Sequence, residues 1–94
     1  APLRIAGVAS RIERHNGREV LFVDGRAENH GAAVLELPPI EIVVTAGDGA
    51  VTRYFLGTRQ TELKPGDRYS FSSRLEAPRN GVKTVSVTFQ EDAR

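Results

Sequence analysis

Apolar and polar residues alternate with a period of two along most of this chain, the spacing that sends successive side chains to opposite faces of a β-strand. Leu3, Ile5, Val8 and Ile12 are separated by small or polar residues, and the slip between Ile5 and Val8 falls on Gly7, which predicts a bulge. The string HNGR at 15–18 follows, and Asn16-Gly17 tolerates the positive φ angles of a type I′ hairpin turn. Leu3–Ile12 and Val20–Asn29 therefore read as neighbouring antiparallel strands. In the second strand Leu21, Val23, Gly25 and Ala27 share one face, while Asp24, Arg26 and Glu28 share the other. Gly25 and Ala27 carry so little side chain that a bulky group from a facing layer is expected over them. Val20 and Phe22 fall on the charged face and make one end of it apolar.

Leu37-Pro38-Pro39 cannot continue a paired central strand, because proline lacks an amide donor, so it reads as an extended connection crossing between layers. Ile40, Ile42 and Val44 then alternate with Glu41, Val43 and Thr45; AGDGA at 46–50 is a tight turn, and Val51–Leu56 returns. Pro65-Gly66 suits the two central positions of a type II turn. Tyr69, Phe71, Ser73 and Leu75 alternate after it, PRNG at 78–81 turns the chain again, and Val85, Val87 and Phe89 alternate at the end. Helical spacing of apolar residues is absent, with room for no more than a short helical turn near residues 57–62. About six or seven short strands with turn signals every 8–12 residues or so predict an all-β, immunoglobulin-like antiparallel β-sandwich. The in-phase apolar positions Ile5, Val8, Leu21, Val23, Ile40, Ile42, Phe71, Leu75, Val85 and Val87 are its expected core.

Ninety-four residues are one domain, spanning 1–94, with enough chain to build a core without covalent staples. Thirteen basic and twelve acidic residues leave a net charge of +1, which argues against nucleic acid or an anionic membrane surface as the main partner. The chain has no cysteine, which excludes thiolate zinc sites, disulfides and thiol nucleophiles from it. No stretch approaches the roughly 20 apolar residues of a membrane span. With no methionine either and an opening of APLRIAG, it is expected to be a processed protein or a domain excised from a longer one.

The polar residues offer no convincing reactive centre. Asp24, Arg26 and Glu28 sit at alternate strand positions, about 6.5–7 Å apart along the chain, too far to share a proton or a compact metal site. His15 belongs to the hairpin and His30 to the far end of the second strand, which separates them by roughly 40 Å at strand rise. Ser70, Ser72, Ser73 and Ser86 lack the glycine-flanked elbow of a serine nucleophile. AGDGA lacks the lysine of a phosphate loop and the spaced carboxylates of a calcium loop. Tyr54, Phe55, Tyr69 and Phe71 are mostly core, although one of the adjacent pair Tyr54 and Phe55 must face outward. No catalytic residue, cofactor or metal ligand is therefore assigned, and a non-enzymatic domain is expected. The candidate interaction surface is Val20 and Phe22, or an unpaired sheet edge, unless loops such as Leu35–Pro39 cover those two side chains.

The order of these segments is distinctive: GVASRIE, then GREVLFVDGRAENHG, LPPIEIVVTAGDGAV, LKPGDRYSFSSRLEAP and VKTVSVTF. It resembles a bacterial domain of unknown function that commonly follows an N-terminal zinc-ribbon finger and a single transmembrane helix. The matching features are Val23, Gly25 and Asn29 in V-x-G-x-x-x-N, the prolines before the third strand, the D-G of the next hairpin, and L-x-P-G before the Phe71 strand. They are turn and core positions spread over nearly the whole chain. The resemblance implies a periplasmic location at the inner membrane, with the finger and membrane helix lying upstream of Ala1. It brings no catalytic residues. The expected role is protein binding or scaffolding in the cell envelope; the alternative is a small-ligand or glycan site built from loop ends such as AGDGA and TRQTE.

Overall fold

Strand follows strand throughout the protein, whose computed structural model describes residues 2–58, 60 and 62–90. The strands are β1 (Leu3–His15), β2 (Arg18–Asn29), β3 (Leu35–Glu36), β4 (Ile40–Ala46), β5 (Val51–Leu56), β6 (Glu62–Leu63), β7 (Arg68–Glu76) and β8 (Val82–Phe89). They form two antiparallel three-stranded sheets, in the orders β1-β2-β7 and β5-β4-β8, and a two-stranded ribbon of β3 and β6. The first hairpin turns on Asn16 and Gly17, at φ 52° and 78°, as a type I′ turn requires. Both flanking strands run further than the alternation alone indicates, so that His15 pairs with Arg18. The turn before β7 has Gly66 at φ 80° and a bond from the Asp67 amide to the Lys64 carbonyl, consistent with a type II turn.

The inner faces of the two sheets share one core. Leu21 and Val23 of β2 pack with Ile42 and Val44 of β4, flanked by the half-buried Tyr54, Leu56, Leu75, Val85 and Val87. This arrangement is consistent with a β-sandwich, and burying each large apolar side chain contributes about 1.5–3 kcal/mol. A second, smaller cluster of Ala27, Leu37 and Leu63 lies with the β3–β6 ribbon, packed by Leu3, Tyr69 and Phe89. Leu37 and Leu63 fall outside the expected core because a two-residue strand is too short to show a period. Pro38-Pro39 carries the chain from the ribbon into β4.

Of the ten expected core residues, Leu21, Val23, Ile40, Ile42 and Phe71 are buried, and Ile5, Leu75, Val85 and Val87 are half-buried. Val8 is the exception, at 44% exposed. The pairing of β1 with β2 shifts between Ala6 and Ala9, so Gly7 and Val8 together oppose Gly25. The bulge expected at Gly7 is present, and it takes Val8 out of the buried alternation on an edge strand. The bulky group over Gly25 is Phe71, but it comes from the paired strand β7 of the same sheet and not from the facing layer. A Cβ built on Gly25 would lie 2.6 Å from the Phe71 ring. The helical turn allowed near 57–62 is not seen: residues 57, 58 and 60 have no regular structure, Glu62 begins β6, and residues 59 and 61 lie outside the described residues.

Asn29 ends β2 and is buried at 2% exposure. Its side-chain amide donates to the carbonyls of Ala33 and Leu63, both at 2.8 Å, and its Oδ1 accepts the Gly31 amide at 2.8 Å. The asparagine of the V-x-G-x-x-x-N pattern is thus a clasp that fastens the loop after β2 to the ribbon.

Candidate interaction surface

Strand register arranges the outer face of the β1-β2-β7 sheet in rows. Arg11 of β1 and Arg74 of β7 both pair with Phe22 of β2, so two guanidinium-bearing strands flank one ring. The Arg11 Cζ lies 4.4 Å from the Phe22 ring centroid and the Arg74 Cζ 5.6 Å. The His15 ring meets the same ring edge-on at 5.8 Å. Phe22 is half-buried, with side chains of its own sheet against its ring. Val20 occupies the adjoining row, paired with Glu13 and Glu76. The rows beyond are Ala9, Asp24 and Ser72; Ala6, Arg26 and Ser70; and Arg4, Glu28 and Arg68.

Charge is organised along this face by a pattern that occurs twice, Arg-x-Glu-x-His at 11–15 and again at 26–30. In each copy the arginine Nε donates to the glutamate Oε2, and the histidine Nε2 lies at 2.9 Å (His15) or 2.8 Å (His30) from the glutamate Oε1. The hydrogen bond from Arg11, then that from His15, holds the Glu13 carboxyl below its ordinary value. Arg26 and then His30 do the same to Glu28. Asp24 links the rows by accepting the Ser72 hydroxyl at 2.8 Å and Arg11 Nη1 at 3.4 Å. Arg4, Arg68 and Arg74 enter no ion pair among the described residues. The repeated pattern is readable in the sequence as positions i, i+2 and i+4; the strand register that lays both copies on one sheet face is not.

The other sequence candidates do not converge. His15 and His30 stand at opposite ends of β2, and among the described residues no three of His, Asp and Glu come together as metal ligands. Ser73 is buried and donates to the Val23 carbonyl at 3.0 Å, while Ser86 lies on the other sheet. Of the aromatic pair, Tyr54 packs on the core and Phe55 is 54% exposed. Asp48 of AGDGA accepts the Ala50 amide at 3.0 Å and the Asn80 side chain at 2.8 Å, which together hold its carboxyl below the ordinary range. One oxygen thereby closes the β4–β5 turn on itself, and the other ties that turn to the β7–β8 turn. AGDGA and TRQTE lie at opposite ends of β5, about 20 Å apart at strand rise, and part of TRQTE (residues 59 and 61) lies outside the described residues.

No family model matches the chain, and no curated protein does. Among solved structures, a crystal structure of a Bordetella pertussis protein assigned as ApaA superposes with a TM-score of 0.65 over 97% of this chain and 95% of that one. The two sequences are 15% identical, so the likeness is one of fold alone.

Proposed function

We propose that this chain is the periplasmic, immunoglobulin-like β-sandwich of a membrane-anchored envelope protein, that it has no enzymatic activity, and that it binds a protein partner. The immunoglobulin-like reading is supported by sheet orders that join strands distant in sequence, β7 beside β2 and β8 beside β4, as Greek-key connections do. The interaction reading rests on one observation: Phe22 held between Arg11 and Arg74 on an outer sheet face, with Arg74 free of any ion pair among the described residues. Aromatic and arginine side chains are the residues that dominate binding at protein interfaces, and here they are preorganised by the sheet. Glycan binding by AGDGA and TRQTE together is weakened by their separation along β5.

Two variants test this reading. Arg74→Glu changes an exposed side chain, and Phe22→Ser removes the ring. Arg74→Glu should retain the wild-type unfolding midpoint to within a few degrees, and both variants should lose the partner recovered from envelope extracts by the wild-type chain. Undiminished recovery by folded Arg74→Glu and folded Phe22→Ser would remove this face from consideration. The location has its own check: the full-length gene product should carry a Cys-x-x-Cys pair and an apolar span upstream of Ala1, and a full-length sequence without the span would sink the membrane-anchored reading.

A further inference from the structure

Four strand edges end the two sheets, and three of them are protected. β1 carries the Gly7–Val8 bulge, bears Arg4, Arg11, Glu13 and Arg14, and lies against β8, so those two edges cover each other. β7 presents Arg68, Arg74 and Glu76. Bulges, charges and coverage are the usual means by which an edge avoids accepting another strand. β5 has neither a bulge nor a covering element among the described residues, and only one charge. Its sequence, VTRYFL, is rich in β-branched and aromatic residues, its pairing with β4 is unbroken from Val51 to Leu56, and its single charge, Arg53, is held by Glu41 at 2.6 Å. Between β5 and β7 the sandwich is open, leaving a groove of about 300 Å³ lined in part by Ile40, Phe55, Tyr69 and Phe71.

The occupant follows from the order of side chains on this edge. The Ala46 amide bonds the Ala50 carbonyl at 2.8 Å, which sets the alternation of bonded pairs along β4 and β5. By that alternation the N–H and C=O groups of Val51, Arg53 and Phe55 turn away from β4, toward the free edge. The same three side chains share the outer face. Val51 and Phe55, each 54% exposed, are the most exposed large apolar residues among the described residues, and they stand symmetrically about Arg53. A two-fold axis through Arg53 therefore pairs Val51 with Phe55 of a second copy, twice, with hydrogen bonds at every outward-facing residue. The two Arg53 side chains meet on the axis, each already neutralised by its own Glu41. Isologous contacts require this self-complementarity, and it singles out a second copy over an unrelated strand.

We infer that β5 is a self-association edge, pairing antiparallel with β5 of another copy in the register Val51–Phe55, Arg53–Arg53, to make a continuous six-stranded sheet. An edge this short belongs to the small end of interface sizes, below about 1,200 Å², so association in the micromolar range or weaker is expected. Because the chain contains no cysteine, single-cysteine variants report the register cleanly. Arg53→Cys places two thiols on the axis at a Cα separation of about 5.5 Å, inside the disulfide range of roughly 4.4–6.8 Å. Val51→Cys on the same edge places them about 13 Å apart or more, four residues out of step.

The experiment combines concentration-dependent light scattering of the wild-type chain with oxidation of the variants. The wild-type mass should rise toward the dimer with concentration, Phe55→Lys should weaken association about tenfold or more while unfolding at the wild-type temperature, and Arg53→Cys should form a disulfide dimer that Val51→Cys does not. A wild-type chain monomeric to millimolar concentration overturns the inference. So does a dimer indifferent to Phe55→Lys, or one in which Arg53→Cys fails to cross-link.

Discussion

The two outer sheet faces rest on a shared core and use their side chains in opposite ways. On β1-β2-β7 the rows hold Arg4, Arg11, Glu13, Asp24, Arg26, Glu28, Arg68, Arg74 and Glu76 around a single half-buried phenylalanine. On β5-β4-β8 they hold Thr45, Thr84, Ser86, Thr88, Val43, Val51 and Phe55, with Arg53 and Glu41 neutralising each other. The first face fixes side chains by charge and by stacking on an aromatic ring, which suits the protein-binding role proposed for it. The second offers backbone and apolar surface at its edge, which suits pairing with a like strand. The difference shows that a near-neutral net charge can go with a patterned surface: of the two sheet faces, the first carries nine charged side chains in its rows and the second only Glu41 and Arg53.

The comparison holds only while both faces stand on the shared core. Ile42, at 0% exposure between the sheets, carries that core, and Ile42→Ala should lower stability by roughly 2–5 kcal/mol in a urea titration. A negligible loss would mean the sheets do not depend on each other. Asn29→Ala should come next, at about 3 kcal/mol, because it leaves the Leu63 carbonyl buried without its donor and frees the loop after β2. Gly25→Ala, measured the same way, should cost about 1–3 kcal/mol by driving a methyl group into the Phe71 ring. Its effect belongs to the charged sheet alone, since the ring and the glycine are cross-strand neighbours there.

Smaller effects separate the two faces directly. The carboxyls of Glu13 and Glu28 titrate below their ordinary range in the folded chain. Their stabilising contribution is therefore intact above the ordinary carboxylate pKa of about 4 and is lost as pH falls through the folded values. Glu13→Gln with Glu28→Gln should flatten the acid side of a stability–pH profile, and an unchanged profile would show that the paired chains of contacts on this face contribute nothing. Smallest of all, a double-mutant cycle on Arg11 and Phe22 should give about 0.5–1 kcal/mol for the stacked pair, as exposed cation–π contacts do. Ser86→Lys on the opposite face should stay within about 0.5 kcal/mol of wild type.

Local features of this fold were legible from the sequence and long-range ones were not. Asn16-Gly17 announces its hairpin, Gly7 its bulge, and Ile40, Ile42 and Val44 their buried face, because turn chemistry and a period of two act over a few residues. Nothing local tells that β7 lies beside β2, and it is that pairing which brings Arg74 to Phe22 and Phe71 to Gly25. The burial of Leu37 and Leu63 depends likewise on a two-residue ribbon without a period of its own. Val20 and Phe22 were identifiable as anomalous on a charged face; the arginines that cover the ring became identifiable only with the register.

Site-specific photo-crosslinking in cells of the native host tests the division of labour between the faces most directly. A crosslinking residue at Ser70 reports on the charged face, and one at Ser86 on the uncharged face; both positions are exposed. This division of labour predicts an adduct with a different protein from Ser70 and none from Ser86. An adduct to another protein from Ser86, with none from Ser70, would contradict it.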